Sequence, residues 1–345
     1  MRALILAGGK GTRLRPLTVY TPKPIVPLAN RPFLLYQLAV LRNAGITDIT
    51  LSLSYQPDKI EQVLGDGSEL GVNLSYVTEP SPLGTGGAYS FAALSDAPSI
   101  VLNGDILTDI DLAKVVRFHE AKKADATLVL APVEDPTAYG LVETGAAGEI
   151  RTFIEKPTSA DLAKLHIDTI NAGIYVLEPK ILDLIPKGEN RSFEYDVFPM
   201  ILEKAMPFFA YTLENEYWRD IGTCASYLAA HHDFLAGKIK GFEDEIPHAT
   251  EIATAAFIDR RSVIGPDCIV KPGAKIINSV VGAGVTLEEK AVVENSVIWP
   301  HSRISTGAEV HDSIIGRGCH IGRSAVVDRG SVLGDKTSIS DYSRV

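Results

Sequence analysis

The strongest constraint on the fold lies at the C-terminal end, where the sequence repeats itself. From Arg260 onward it can be cut every seventeen residues into RRSVIGPDCIVKPGAKI, INSVVGAGVTLEEKAVV, ENSVIWPHSRISTGAEV and HDSIIGRGCHIGRSAVV, followed by an eighteen-residue DRGSVLGDKTSISDYSRV. Ser262, Ser279, Ser296 and Ser313 share one column, with Ser331 one place late; Ile264, Val281, Ile298 and Ile315 share another. Within each block an aliphatic returns roughly every six residues, as in Val281, Leu287 and Val293. One inward aliphatic on each of three short faces describes a triangular coil that buries a continuous apolar column only when coils stack. Gly265, Gly273, Gly282, Gly307, Gly316 and Gly322 suit its corners, where a positive φ is often needed.

This pattern resembles the hexapeptide repeat of left-handed parallel β-helices. Residues 259–345 are assigned to such a domain, and the polar, acidic stretch 239–258 to a linker. The expected role of the coil is assembly into a homo-oligomer, or capping of a catalytic domain. Related β-helices also carry acyltransferases, but His301, His311 and His320 sit in no partner motif. Cys268 and Cys319 fall three coils apart, roughly 14 Å at the usual strand spacing, too far for a disulfide.

Residues 1–238 have a different texture, with short apolar runs alternating with helical patterns. Strands are expected over 2–7, 48–54, 73–77, 99–103, 126–133, 150–155, 170–177 and 208–213, and helices over 33–43, 59–64, 86–94, 112–122, 180–184, 195–203 and 226–237. Such alternation predicts an α/β domain with a mixed, mainly parallel sheet, whose ligand lies beyond the carboxyl ends of the strands. The net charge of −10 in 345 residues excludes a general nucleic-acid coat. The run Ala3–Ala7 is too short for a signal-peptide core or a membrane span, so a cytoplasmic protein with no membrane partner is expected.

The acidity is unevenly spread. No acidic residue precedes Asp48, while Arg2, Lys10, Arg13, Arg15, Lys23, Arg31 and Arg42 do. A basic opening in an acidic protein points to a bound anion. The first strand runs into Leu6-Ala7-Gly8-Gly9-Lys10-Gly11-Thr12-Arg13, glycine-rich and cationic, as a phosphate-cradling loop must be. It is not a P-loop, because Gly9-Lys10 is followed by Gly11, nor a dinucleotide fingerprint, because Leu14 stands where a third glycine is needed.

The series GGxGTRLRPLT, Pro22-Lys23-Pro24, Glu79–Gly87, Leu102-Asn103-Gly104-Asp105, Tyr139-Gly140, Glu155-Lys156-Pro157, Asn171-Ala172-Gly173 and Trp218–Gly222 resembles the sugar-1-phosphate nucleotidyltransferases, closest to their mannose-1-phosphate guanylyltransferase branch. The resemblance implies transfer of a nucleotidyl group from a nucleoside triphosphate to a sugar 1-phosphate, with Mg²⁺ and release of pyrophosphate. It implies Arg13, Lys23, Asp105 and Lys156 as catalytic residues. Leu6, Ala7, Gly8, Gly9, Gly11, Thr12, Arg13, Glu79, Gly84, Thr85 and Asn103 would line the nucleotide. Gly140, Glu155, Lys156 and Asn171 would take the sugar phosphate, and Asp105 and Asp220 the metal. Glu79 leans towards GTP, since a carboxylate accepts from the adjacent N1–H and N2–H of guanine and is repelled by the carbonyls of uracil or thymine. ADP-, UDP- and dTDP-sugar synthesis, and a non-catalytic regulatory subunit, are the alternatives; intact Arg13, Lys23, Asp105, Lys156 and Asp220 speak against the last.

Overall fold

A computed structural model describes all residues except 93, 95–96, 134–135, 137–138, 156–166 and 243–250. Two compact units emerge: Met1–Gly9 with Tyr36–Trp218, and Lys10–Leu35 with Arg219–Val345. The expected boundary near residue 238 follows the sequence. The spatial division instead places the basic segment 10–35 with the coil.

In the first unit a nine-stranded sheet runs Ile150–Ile154, Leu141–Thr144, Thr169–Leu177, Ser99–Asn103, Arg2–Leu6, Asp48–Leu53, Asn73–Thr78, with Ala126–Pro132 joining Thr169–Leu177 to Phe208–Thr212. Arg2–Leu6 is parallel to Asp48–Leu53 and Ser99–Asn103, and Asp48–Leu53 to Asn73–Thr78. Thr169–Leu177 runs against its neighbours. The mixed α/β sheet read from the sequence is therefore present. The central strands are apolar on both faces because both are covered; Ala3, Leu4, Ile5, Ile100, Val101 and Leu102 are fully buried.

Some local expectations change. Strands Ile106–Thr108 and Leu141–Thr144 are additions. The short pattern at 180–184 is the 3₁₀ turn Pro179–Leu184. The helix expected over 195–203 begins as a π-turn, Phe193–Val197, before the α-helix Phe198–Glu203. Such turns gather at functional sites more often than elsewhere.

The coil forms three parallel sheets, one per face, with strands recurring at the expected spacing. Its column includes Ile264, Val270, Ile276, Val281, Leu287, Val293, Ile298, Ile304, Val310, Ile315, Ile321 and Val327. The serine column is a ladder: the amides of Ser279, Ser296 and Ser313 donate to the hydroxyl of the serine one coil earlier, at 3.1, 3.0 and 3.1 Å. The coil also starts earlier than the repeat shows, because Glu251–Ile252 and Phe257–Ile258 pair with Ile269–Val270 and Lys275–Ile277. Residues 251–258, expected as linker, are its first rungs; 243–250 lie outside the described residues.

The glycine reading holds for Gly273 and Gly307, at φ 76 and 67, and needs correction for the other four. Gly265, Gly282, Gly316 and Gly322 are not among the residues with positive φ. A Cβ on any of them would meet backbone of the next coil at 2.5–2.7 Å. They permit close stacking, while left-handed corners fall to Asp267, Asn278, Asn295, His301 and Asp312 among others.

Helix Cys224–Leu235 buries His231 completely. Its Nδ1–H donates to the Tyr227 carbonyl at 2.9 Å, the tautomer a carbonyl partner demands. Burial pushes its pKa down to about 4. The neutral ring is thus stabilising above pH 6.5, and this contribution is lost as pH falls towards 4, by up to about 3 kcal/mol. The urea midpoint should drop more over that interval in the wild-type protein than in His231→Leu; equal drops would contradict it.

Candidate active site

In-register parallel strands bring their carboxyl ends to one edge. Leu6 stands opposite Ser52 and Asn103, and Leu53 opposite Thr78. The residues that follow therefore collect there: Ala7 and Gly8, Ser54, Glu79, and Gly104 with Asp105. Thr169–Leu177 runs the other way, with Ile174 opposite Leu102, so its early residues, Asn171 among them, reach the same edge.

Close contacts fix this edge. The Ser54 hydroxyl donates to the Gly8 carbonyl. Glu79 accepts from the Ser52 hydroxyl at 2.8 Å and the Leu83 amide at 3.0 Å. A Cβ on Gly8 would stand 3.0 Å from Glu79 Oε1, so the loop backbone and the carboxylate are neighbours. Each oxygen keeps a second lone pair. The turn bearing Asp105 is gripped by buried Gln37, whose Nε2 donates to the carbonyls of Asn103 (2.8 Å) and Ile106 (2.9 Å). Gly104 lets that turn lie on Leu6, where a Cβ would come within 2.7 Å of the Leu6 carbonyl oxygen.

The residues expected around the sugar phosphate also come together. The Asn171 amide donates to the Gly140 carbonyl at 3.0 Å, and a Cβ on Gly140 would lie 2.5 Å from Glu155 Oε2. Pairing with Ala126–Pro132 shifts register between Asn171 and Tyr175, and such bulges re-aim side chains. Asn171 Nδ2 donates to the Tyr175 hydroxyl at 3.0 Å, which donates to Glu194 at 3.3 Å. Burial, with Glu194 nearby, holds the Tyr175 phenol well above its usual pKa. Glu194 also accepts from the Thr85 hydroxyl (2.9 Å) and the Ser192 hydroxyl (2.6 Å). Thr85 is thereby tied into an internal network.

Gly84, at φ 72, opens helix Gly84–Ala92, and a Cβ there would meet the Arg191 carbonyl at 2.5 Å. That carbonyl accepts from the amides of Gly86 and Gly87 at 2.9 and 3.0 Å. Those two amides are satisfied internally.

Arg13, Lys23, Gly11, Thr12 and Asp220 belong to the second unit. Gly11, at φ 61, lies against Lys23 and Thr18, and the Thr18 hydroxyl donates to its carbonyl at 2.7 Å. Lys23 is buried at the start of the 3₁₀ turn Lys23–Ile25. Arg13 is exposed. A Cβ on Gly222 would come within 2.7 Å of both Arg13 Nη2 and Asp220 Oδ1, so this glycine is where guanidinium and carboxylate converge. Lys156 lies outside the described residues.

Sequence reasoning did not single out Gln37, Thr18, Ser52 or Ser54. Gln37 had a signal, an amide enclosed by apolar residues in helix Leu34–Asn43, and Thr18 closes the GGxGTRLRPLT series; Ser52 and Ser54 had none.

A family model described as Nucleotidyl transferase matches residues 2–237. The chain belongs to the nucleotidyl transferase family. A second model, the EIF2B subunit epsilon LbH domain, matches residues 247–345, the β-helix. Among curated relatives of this nucleotidyl transferase, a mannose-1-phosphate guanylyltransferase of Mycobacterium tuberculosis is 38% identical over 302 residues, covering 85% of this chain and 82% of that protein. A UTP--glucose-1-phosphate uridylyltransferase of Synechocystis is 35% identical over 321 residues, covering 86% and 82%. A solved chain from Bacillus anthracis, assigned to the glucose-1-phosphate thymidylyltransferases, superposes with a TM-score of 0.60 at 25% identity, covering 67% of this chain and 94% of that one. Among the described residues, no helix is long and apolar enough to cross a membrane.

Proposed function

We propose that this nucleotidyl transferase joins GMP from GTP to mannose 1-phosphate, giving GDP-mannose and pyrophosphate. The observation that carries the choice of base is Glu79 beside Gly8, a carboxylate at the edge of the glycine loop. Mannose 1-phosphate as acceptor rests on the guanylyltransferases among the relatives.

A phosphate oxygen of the sugar 1-phosphate attacks the α-phosphorus, the α–β bridging bond breaks, and pyrophosphate departs. The nucleophile is already an anion, so no strong base is needed. The protein must align two anions that repel each other and neutralise charge as the bond changes. The loop Leu6–Thr12, with Gly84 and Asn103, would line the nucleotide. The planar fork of Arg13 would bind phosphate oxygens, with Lys23 a second cation. Gly140, Glu155 and Asn171 would hold the sugar, and Lys156 its phosphate. Asn171 keeps a second amide hydrogen for a hydroxyl after donating to Tyr175.

Asp105 and Asp220 would hold Mg²⁺. Among the described residues, no three His, Cys, Asp or Glu side chains form a metal cage. Mg²⁺ prefers one or two carboxylates with waters and substrate phosphates, so a pair of aspartates suits it. When bound, it neutralises phosphate charge.

The base assignment is tested by comparing GTP, UTP and ATP with mannose 1-phosphate in wild type and Glu79→Gln. An amide has one acceptor oxygen where the carboxylate has two. The variant should raise the GTP KM about tenfold and lower the UTP KM, since the amide relieves the repulsion from uracil carbonyls. A wild-type preference for UTP or ATP would move the assignment to another base.

A further inference from the structure

The coil repeat carries a residue that its own architecture does not require. The sixth place of the first, second and fourth blocks is Gly265, Gly282 and Gly316, yet the third block has Trp299. Trp299 is 1% exposed. Its Nε1–H donates to the hydroxyl of Tyr227 at 3.1 Å, and that hydroxyl donates to the Pro27 carbonyl. An indole N–H only donates and a carbonyl only accepts, so a hydroxyl, which does both, is the fitting link.

Three further contacts bind the same parts. Asn30, at the tip of a tight hairpin turn, donates from Nδ2 to the Val281 carbonyl at 2.9 Å. Gly334 lies against Pro16, where a Cβ would be 3.0 Å from the proline Cβ. The His232 Nε2–H donates to the Asn295 carbonyl at 3.0 Å. Segment 10–35, which holds Arg13 and Lys23, thus clusters with the coil rather than with the strand that precedes it. Little slack separates Lys23 from Pro27, because the Val26 amide closes the turn on the Lys23 carbonyl at 3.2 Å.

We propose that the β-helix is a working part of the transferase: Trp299 and Tyr227 form a hydrogen-bonded strut that holds the Pro27 main chain and so positions Lys23. Trp299 and Tyr227 are positioning residues and touch no substrate. The inference rests on the role given to Lys23 in the transfer reaction.

The test uses the full chain as Tyr227→Phe and, separately, Trp299→Phe, each keeping an aromatic ring. Amide hydrogen exchange in residues 23–33 should quicken at least about tenfold, while strand Ser99–Asn103 is unchanged. The kcat for GTP and mannose 1-phosphate should fall about tenfold, with the mannose 1-phosphate KM within about twofold. In a Lys23→Ala background, Tyr227→Phe should cost less than about twofold, because the strut acts through Lys23. Wild-type exchange in both variants would overturn the strut, and an undiminished loss in the Lys23→Ala background would overturn its link to Lys23. If the wild-type protein turns over no substrate pair, the transfer reaction itself fails, and the exchange measurement still decides the strut.

Discussion

Asp105→Asn should lower kcat by roughly 10³-fold with an unfolding midpoint close to wild type, because with Mg²⁺ held there as proposed, several kcal/mol of transition-state charge stabilisation would pass through that carboxylate. The substitution keeps size and hydrogen-bonding reach but removes the charge that a hard cation needs. The turn itself should survive, since Gln37 grips it through the backbone of Asn103 and Ile106 and not through Asp105. Steady-state turnover at saturating substrates, paired with thermal unfolding, separates the two effects. Activity within tenfold of wild type would remove Asp105 from the metal.

Arg13→Ala should cost roughly 10²–10³-fold in kcat/KM, the usual scale for deleting a donor aimed at developing phosphate charge. Arg13→Lys should restore little of it, because an ammonium cannot reproduce the two-pronged geometry. Gly222→Ala should fall in the same direction without touching either charge. Its new Cβ would enter the space where the Arg13 guanidinium and the Asp220 carboxylate meet, at 2.7 Å from each. Full activity in both Arg13→Ala and Gly222→Ala would show that this corner is not part of the site.

Much of this was legible in the sequence because it is written in periodic or contiguous form. The coil follows from one aliphatic in six, and the strand Ser99–Asn103 from an uninterrupted apolar run. The glycine loop, the family series and the basic opening are all local. What was not legible depends on partners distant in sequence. Gln37 gains its meaning from carbonyls more than sixty residues away, and Thr85 from Glu194. The coil glycines could be placed, but their reason could not: positive φ and close stacking leave the same letter. The first rungs at 251–258 escaped because their sequence lacks the serine column that kept the later blocks in register. The grouping of segment 10–35 with the coil has no periodic signature. Its one trace is Trp299, a large residue in a glycine column.

The charge distribution gains a structural meaning. The β-helix holds eleven basic and eleven acidic residues over 251–345, so the net acidity lies in the rest of the chain. Within that acidic remainder, the acid-free opening supplies Arg13 and Lys23, and it clusters with the nearly neutral coil.

The most direct measurement is pyrophosphate release by the purified wild-type chain with Mg²⁺, mannose 1-phosphate and each nucleoside triphosphate in turn. GTP should support turnover, with kcat/KM at least about tenfold above UTP and ATP, and chelation of the metal should abolish it. No release with GTP, or equal rates with all three nucleotides, would contradict the proposed guanylyl transfer.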